Sequence, residues 1–310
     1  MSGRRFFLIC LAGLVMALQT TTALFAQDQD DEVQYVRNVW NFVEQSMDIS
    51  NGIPDDAAGT LAQIRETGKL RVATEPYFPP QEFIDQTQSG QNRFAGADMK
   101  LARLIAERMG VTLEIIPMEF TDVLPALDEN ICDLAISALA FVPSRASAYE
   151  LSKGYYFSEE NSGNGIMIRI EDQDLYHSIE DFADKIIAAQ AGSLQESIMA
   201  DHFPYYKEFI RLNSLQNVYK ELEKGKIDGA MADIETAQSY IDRTPDSQLM
   251  IVPELNFQLE NQFMGDRIAA KRGQIQLIYF VNGVIDEVVE SGQYMEWYRE
   301  ADELAESLGL

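Results

Sequence analysis

The sequence predicts an α/β protein of two lobes, each a parallel-rich sheet flanked by helices, with a cleft between them. Three observations carry that expectation. From Leu70 onward, short apolar strands alternate with helices of amphipathic spacing, and helices between successive strands make right-handed βαβ units and parallel sheets. The 310 residues leave room for two domains of about 150. One pattern also occurs twice: Val123, Leu127 and Asp133 are spaced by four and six residues, as are Val218, Leu222 and Asp228, 95 residues further on. Each set reads as a helix, a turn and a strand opened by Asp, so both halves look built on one plan.

The elements follow in order. MSGRRFFLICLAGLVMALQTTTALFAQ has basic Arg4 and Arg5, an uncharged apolar run from Phe6 to Leu18 and small residues ending near Ala26. That is the pattern of an export signal, residues 1–26. The other reading is an uncleaved anchor, but the apolar core is shorter than the roughly 20 residues a spanning helix needs. Residues 27–63 are expected as an acidic N-terminal extension around one amphipathic piece, Val36, Trp40, Val43 and Met47. LRVAT is a strand. Asp98 is placed to cap a helix carrying Leu101, Leu104, Ile105 and Met109, stopped by Gly110. VTLEIIPM is a strand, Val123 to Leu127 helical, and CDLAISAL a strand. The second half repeats this: KIIAAQ strand, helix from Ser193, strand at FIRLN, helix from Ser214 to Lys224 stopped by Gly225, strand IDGAMAD. A final helix carries Leu277, Ile278, Val281, Ile285 and Val288, and Gly292 ends it.

Composition excludes several functions. Hydrophobic residues at 46% and charged residues at 24% are ordinary globular usage. There are 50 Asp and Glu against 24 Lys and Arg, a net charge of −26. Loss of residues 1–26 removes two arginines and no acid, taking −26 to −28. So acidic a surface repels phosphate backbones and anionic headgroups, and no nucleic-acid partner is expected. Cys10 leaves with the signal, so the mature chain keeps Cys132 alone and has no internal disulfide. Cys132 sits in NICDLAISAL, where a thiol behaves as a small buried hydrophobe.

Two α/β lobes leave a cleft, and ligands bind beyond the carboxyl ends of parallel strands. After LRVAT come Glu75, Tyr77, Phe78, Pro79 and Pro80; at and after CDLAISAL come Ser137 and Arg145. After KIIAAQ, Gly192 frees a turn and the amides from Ser193 to Gln195 open a helix, a ready carboxylate site. After IDGAMA comes Asp233. An arginine fork matches a carboxylate, an Asp matches an ammonium, and Phe78 or Tyr77 can cover an apolar or cationic stem. That set describes a receptor for a zwitterion. Each member has a plainer reading too: Arg145 as a surface ion-pair partner, Asp233 as the cap of Ile234 to Ile241, and Gly192-Ser193 as an ordinary turn.

These stretches resemble the type II periplasmic solute-binding proteins of amino-acid ABC transporters, bacterial extracellular solute-binding protein family 3, over roughly residues 64–308. GKLRVATEPYFPPQEF resembles the family's opening strand and aromatic-Pro-Pro turn. FTDVLPALDENICDLAISALAFVPSRASAYELSKGYYFS resembles the helix, Asp-led strand, Pro-x-Arg turn and Phe-Ser close of its first lobe. AAQAGSLQES and LEKGKIDGAMAD resemble two pieces of its second lobe. The resemblance implies the type II periplasmic-binding-protein fold. It implies that Arg145 holds the ligand's α-carboxylate, helped by amides near Ser193, and that Asp233 takes its α-ammonium. Phe78 then stacks on the ligand, and Glu75 and Gln195 face its side chain. Three positions depart from the family. Gly-Phe-Asp is Gly96-Ala97-Asp98, which removes an aromatic wall; the Thr before Pro-x-Arg is Val142; Pro-Tyr after Phe-Ser is Glu160-Asn161.

The functional expectation is a periplasmic protein, exported through a cleaved signal peptide, that captures an amino acid and delivers it to an ABC permease in the membrane. It is expected to be a monomer without cofactor or metal. Arg145 and Asp233 satisfy a zwitterion's two charges, so the extra carboxylate of Glu75 favours a basic or polar amino acid. The alternatives are a ligand-sensing module for a receptor and a cyclohexadienyl-dehydratase-like enzyme using Glu75 as general acid. No HExxH, GxSxG, P-loop or GxGxxG occurs, and His177 and His202 stand apart. Lobe 1 is expected at residues 66–158 plus 260–310 and lobe 2 at 165–252, with Gly163 and Gly165 as hinge points.

Overall fold

The computed structural model describes residues 59–157, 163–258 and 265–310. The expected export signal, the segment Val36 to Met47 and Glu160-Asn161 lie outside them. In chain order the strands begin β1 (Lys69–Thr74), β2 (Tyr77–Phe78), β3 (Glu82–Ile84), β4 (Phe94–Ala95), β5 (Thr112–Pro117), β6 (Leu134–Ala140) and β7 (Tyr149–Leu151). They continue with β8 (Asn164–Arg169), β9 (Ile186–Gln190), β10 (Glu208–Leu212), β11 (Gly229–Asp233), β12 (Leu249–Phe257) and β13 (Asp266–Lys271). Two five-stranded sheets result, ordered β5-β1-β6-β13-β7 and β10-β9-β11-β8-β12, with a small sheet β2-β3-β4 beside the first.

The repeated sequence pattern has a structural cause. β1 lies parallel between β5 and β6, and β9 lies parallel between β10 and β11. Asp133 and Asp228 clip the third strand of each trio to the central one. Asp133 accepts the Arg71 N–H at 2.8 Å and returns its own N–H to Arg71 O at 2.9 Å. Asp228 accepts the Ile186 N–H at 2.8 Å and returns its own to Ile186 O at 2.7 Å. Val123, Leu127, Val218 and Leu222 are all fully buried beneath these strands. Helix α1 (Thr60–Thr67) leads into β1, and α2 (Ala97–Met109) leads into β5. The Val123 to Leu127 region is two short turns, α3 (Phe120–Val123) and α4 (Pro125–Asp128), and α5 (Pro143–Ala148) follows β6. The second half carries α6 (Leu194–His202), α7 (Leu215–Glu223) and α8 (Ile234–Arg243). Apolar stripes of α2 and of α9 (Ile275–Glu290), among them Leu101, Ile105, Leu277, Val281 and Ile285, bury against Leu70, Val72, Leu134 and Ile136.

Several expectations change. Antiparallel strands close both sheets: β13 pairs with β6 and β7, and β8 pairs with β11 and β12. β12 runs to Phe257, past residue 252, and shifts register between Ile251 and Asn256, around Pro253, which has no N–H for the ladder. Gly292 does not end the chain's last helix; it opens another, α10 (Gln293–Leu308). Gly165 is not a hinge point, since it pairs with both Ala232 and Asn256 inside β8. A Cβ on Gly165 would stand 3.2 Å from Leu255 O, so the backbone of β12 packs closely against it.

Asp98 does not cap α2 either. Gly96 occupies the cap with φ 114°, where a Cβ would lie 2.1 Å from Gln81 O. That close approach lets the Ala97 and Asp98 N–H groups bond Pro80 O and Gln81 O, at 3.1 and 2.9 Å. The Asp98 side chain turns inward, fully buried. It accepts the Tyr294 hydroxyl (2.7 Å), the Tyr155 hydroxyl (2.8 Å) and the Ala138 N–H (3.0 Å). Replacing it strands three buried donors. Asp98→Ala is therefore expected to destabilise the protein by about 3 kcal/mol or more, measured as the unfolding free energy in urea. A loss below about 1 kcal/mol would show that this network contributes little.

Candidate ligand-binding site

The carboxyl ends of the parallel strands of both sheets converge on one cavity of about 140 Å³. Glu75, Phe78, Ser137, Arg145, Ser193, Gln195 and Asp233 all line it. Glu75 follows β1; its N–H donates to Ser137 Oγ at 3.0 Å, and that hydroxyl donates to Glu82 Oε1 at 2.9 Å. Ser137 thus holds the floor of the cavity in place. From the opposite sheet, Gln190 Nε2 donates to both Glu75 carboxylate oxygens, at 2.9 and 3.0 Å. Burial pushes the Glu75 pKa up to about 7, and the Gln190 bond opposes that push.

Arg145, in α5, is only 6% exposed. Its Nη1 donates to Ala140 O at 2.8 Å, and its Nη2 crosses the cleft to Gly192 O at 2.7 Å. The Phe120 ring lies under the guanidinium, 5.6 Å from Cζ to the ring centroid. Burial pulls its pKa down to about 10, with Asp266 acting the other way. Among the described residues it has no carboxylate within 4.0 Å. Arg145 is therefore not a surface ion-pair partner.

The plainer readings of Ser193 and Asp233 also hold, alongside their places in the cavity. Ser193 caps α6, its Oγ accepting the Glu196 N–H at 3.3 Å. Its own N–H bonds Gln190 O at 3.3 Å, so the amides of Leu194 and Gln195 are the ones that begin the helix. Asp233 caps α8 through Oδ1, which accepts the Thr236 N–H at 2.9 Å and the Thr236 hydroxyl at 3.0 Å. Its Oδ2 takes no hydrogen bond among the described residues. Burial raises the Asp233 pKa, and the Thr236 bonds draw it down. Gln195 lines the cavity with its amide Nε2 tied to Asn164 Oδ1 at 2.8 Å.

At the position where the family carries an aromatic wall, this chain brings no side chain to the cavity. Ala97 is fully buried at the start of α2 and does not line the cavity, nor does Val142. Aromatic surface comes instead from Phe78, Phe120 and Tyr156. Other residues the sequence did not single out are Glu82, Gln190, Glu235 and Asp266. Gln190 was within reach, as the one polar residue ending an apolar strand; Asp266 opens a return strand that carried no signal. Burial, then the nearby Asp98 charge, pushes the Glu82 pKa well above its ordinary value.

Two lobes on one plan, closing on a small polar cavity at their strand ends, define a binding protein for a small charged molecule. The chain belongs to the bacterial extracellular solute-binding proteins, family 3, whose model matches residues 70–300. It is similar to the arginine-binding extracellular protein ArtP of Bacillus subtilis, 25% identical over 241 residues, covering 76% of this chain and 88% of that one. The L-cystine-binding protein TcyJ of Escherichia coli is 23% identical over 245 residues, covering 76% and 82% of the two chains. Among solved structures, an amino acid ABC transporter substrate-binding protein from Streptococcus pneumoniae bound to L-arginine superposes with a TM-score of 0.69 at 29% identity. That match covers 79% of this chain and 98% of the other. The fold is shared as well by an ancestral amino acid-binding protein described as a precursor of cyclohexadienyl dehydratase, with a TM-score of 0.65 at 24% identity.

Glu75 carries a pH test. Its pKa is about 7 folded against an ordinary 4.5, so between those values the folded state binds more protons than the unfolded state. Its contribution to stability therefore falls as pH rises from about 4.5 to about 7 and is level above that. Across this window, urea unfolding should move in favour of Glu75→Gln relative to wild type, by a few kcal/mol at most. A difference that stays constant with pH rejects a buried proton on Glu75.

Proposed function

We propose that the protein captures an amino acid, basic or polar, between its two lobes outside the cytoplasm and delivers it to an ABC permease. The observation that carries this reading is Arg145: a buried guanidinium, facing the cavity, with no carboxylate among the described residues near enough to pair it. A ligand α-carboxylate supplies that partner bidentately, with the Leu194 and Gln195 amides at the α6 N-terminus adding to it. Asp233 Oδ2 receives the α-ammonium while Oδ1 keeps capping α8. Phe78, Phe120 and Tyr156 enclose the ligand's stem. Glu75 accepts a cationic side chain when ionised and donates to a neutral amide when protonated, with Gln195 as the second polar contact.

Charge balance favours a basic ligand. Among the described residues the cavity is lined by five carboxyl groups, Glu75, Glu82, Asp233, Glu235 and Asp266, and by one basic side chain, Arg145. Arginine ligands among the relatives support the same choice. Residues 1–26 act as a cleaved export signal, the mature protein works in the periplasm as a monomer, and residues 66–158 with 260–310 close against a second lobe that runs from residue 165 to the end of β12 at Phe257. The proton on Glu75 favours one second reading, a cyclohexadienyl-dehydratase-like enzyme with Glu75 as general acid. Turnover of prephenate or arogenate by the purified protein decides for it.

Arg145→Ala should leave the protein folded and weaken amino-acid binding at least about thirtyfold, since truncating one partner of a desolvated ion pair costs roughly 2–5 kcal/mol. Unchanged calorimetric affinity in the folded variant rejects the assignment. Glu75→Gln should weaken lysine and arginine far more than glutamine. Tight binding of glutamate or aspartate by wild type, with no response to cationic amino acids, overturns the choice of ligand class.

A further inference from the structure

Four of the five carboxyl groups lining the cavity already have a donor from the protein. Gln190 serves Glu75, Ser137 serves Glu82, Thr236 serves Asp233, and the hydroxyls of Tyr156 and Tyr298 serve Glu235 at 2.7–2.9 Å. Asp266, the first residue of β13, is the exception: its carboxylate takes no hydrogen bond among the described residues, yet it lines the cavity. Its position is not adaptable, because its backbone is bonded to Tyr155 and Tyr156, each at 3.0 Å.

Its surroundings make that carboxylate costly. Glu82 from β3, Asp98 from α2, and Asp233 and Glu235 from the start of α8 act on it with like charge, and Tyr155, Tyr156 and Tyr294 also feel its charge. Arg145 from α5 is the opposing charge, but that guanidinium is bonded to two carbonyls and stands beyond ion-pair distance. A carboxylate without a donor, set among like charges, is best met by a cation. An ammonium has three N–H donors, and Asp233 Oδ2 takes only one.

We propose that Asp266 shares the ligand's α-ammonium with Asp233, making a protonated amine the feature the cleft selects most strongly. This rests on the amino-acid reading of the cleft given above and adds a specificity-determining residue to it. Burial, followed by the nearby Asp98 charge, raises the pKa of Asp266, and an arriving ammonium opposes that rise, so its binding favours loss of a proton from Asp266. A ligand carboxylate placed there would favour the protonated form instead, and binding would release no proton.

The test is calorimetry on wild type and Asp266→Asn with L-arginine, L-lysine and L-glutamine. Each is paired with its analogue lacking the α-amine: 5-guanidinopentanoate, 6-aminohexanoate and 4-carbamoylbutanoate. D266N should weaken the amino acid that binds best by about tenfold or more and leave its deaminated analogue within about twofold. Equal losses for the pair, or no loss for either, overturn the proposal. A wild type that prefers glutamine over arginine and lysine rejects the basic-ligand reading, while the paired comparison with glutamine still decides the role of Asp266. Binding of none of the three overturns both. Should D266N fail to fold, wild type titrated in two buffers of different ionisation enthalpy gives the answer. Net proton release with the amino acid but not with its analogue supports the shared ammonium; no exchange, or uptake, rejects it.

Discussion

Arg145 sits with its charge almost wholly out of water, and the cleft is organised around keeping it there. Removing a guanidinium from solvent costs several kcal/mol unless hydrogen bonds and a counter-charge meet it. The hydrogen bonds come from both sides: Ala140 O at the end of β6 and Gly192 O at the turn after β9. The ring of Phe120 covers the face. The counter-charge is what the protein leaves open, and a receptor for a carboxylate needs that vacancy. A neutral pair completed within the protein would have been more stable and would have had nothing to recognise.

The same logic separates the acids. Residue type alone does not distinguish Glu75, Glu82, Asp98, Asp233 and Asp266; the donors around each one do. Asp98 collects two tyrosine hydroxyls and a backbone N–H, and holds the interior of the first lobe together. For Glu82, beside it, burial and then the Asp98 charge make ionisation costly, since like charges that close oppose each other. Ala138, whose N–H reaches Asp98, is held at φ 43°, a conformation costing an L-residue about 1–2 kcal/mol. Strain of that size next to a binding cavity persists only where surrounding bonds over-determine it. Here those bonds are the ones fixing Asp98.

Much of this was legible in the chain, for a geometric reason. Parallel strands deliver whatever follows them to one edge of the sheet, so noting the residues after four strands was enough to gather all seven singled-out residues around one cavity. Residues that arrive by another route carried no such mark. Glu82 comes on the hairpin β2-β3, Glu235 one turn into α8, and Asp266 on a strand returning antiparallel. Phe120 opens α3 and Tyr156 follows β7, so neither comes directly after one of those four strands. The misreading of Asp98 as a cap has a physical cause too. An Asp near a helix start ordinarily faces the free amides, but the approach of Gly96 to Gln81 gives those amides to the hairpin carbonyls and turns the side chain inward.

Closure is the remaining term, and it sets how far a ligand can act. Contacts of the protein's own join the two lobes: Gln190 reaches Glu75, Gln216 Nε2 donates to Tyr77 O at 2.8 Å, and Tyr298 reaches Glu235 at 2.7 Å. Further out, Arg243 of α8 pairs with Asp302 of α10 and bonds Leu310 O at 2.9 Å. Each such contact favours the closed arrangement whether or not the cavity is filled. A ligand shifts the equilibrium only by the difference in its affinity for the two states. Contacts through Arg243 favour the competent arrangement for every ligand alike, and so raise apparent affinity without changing the ranking among ligands. The Gln190–Glu75 bond acts differently, because a cation arriving at Glu75 competes for the same oxygens. It stabilises the empty closed cleft and must be traded for the ligand, so it favours ligands that return more to Glu75 than one amide does. A cationic side chain meets that condition.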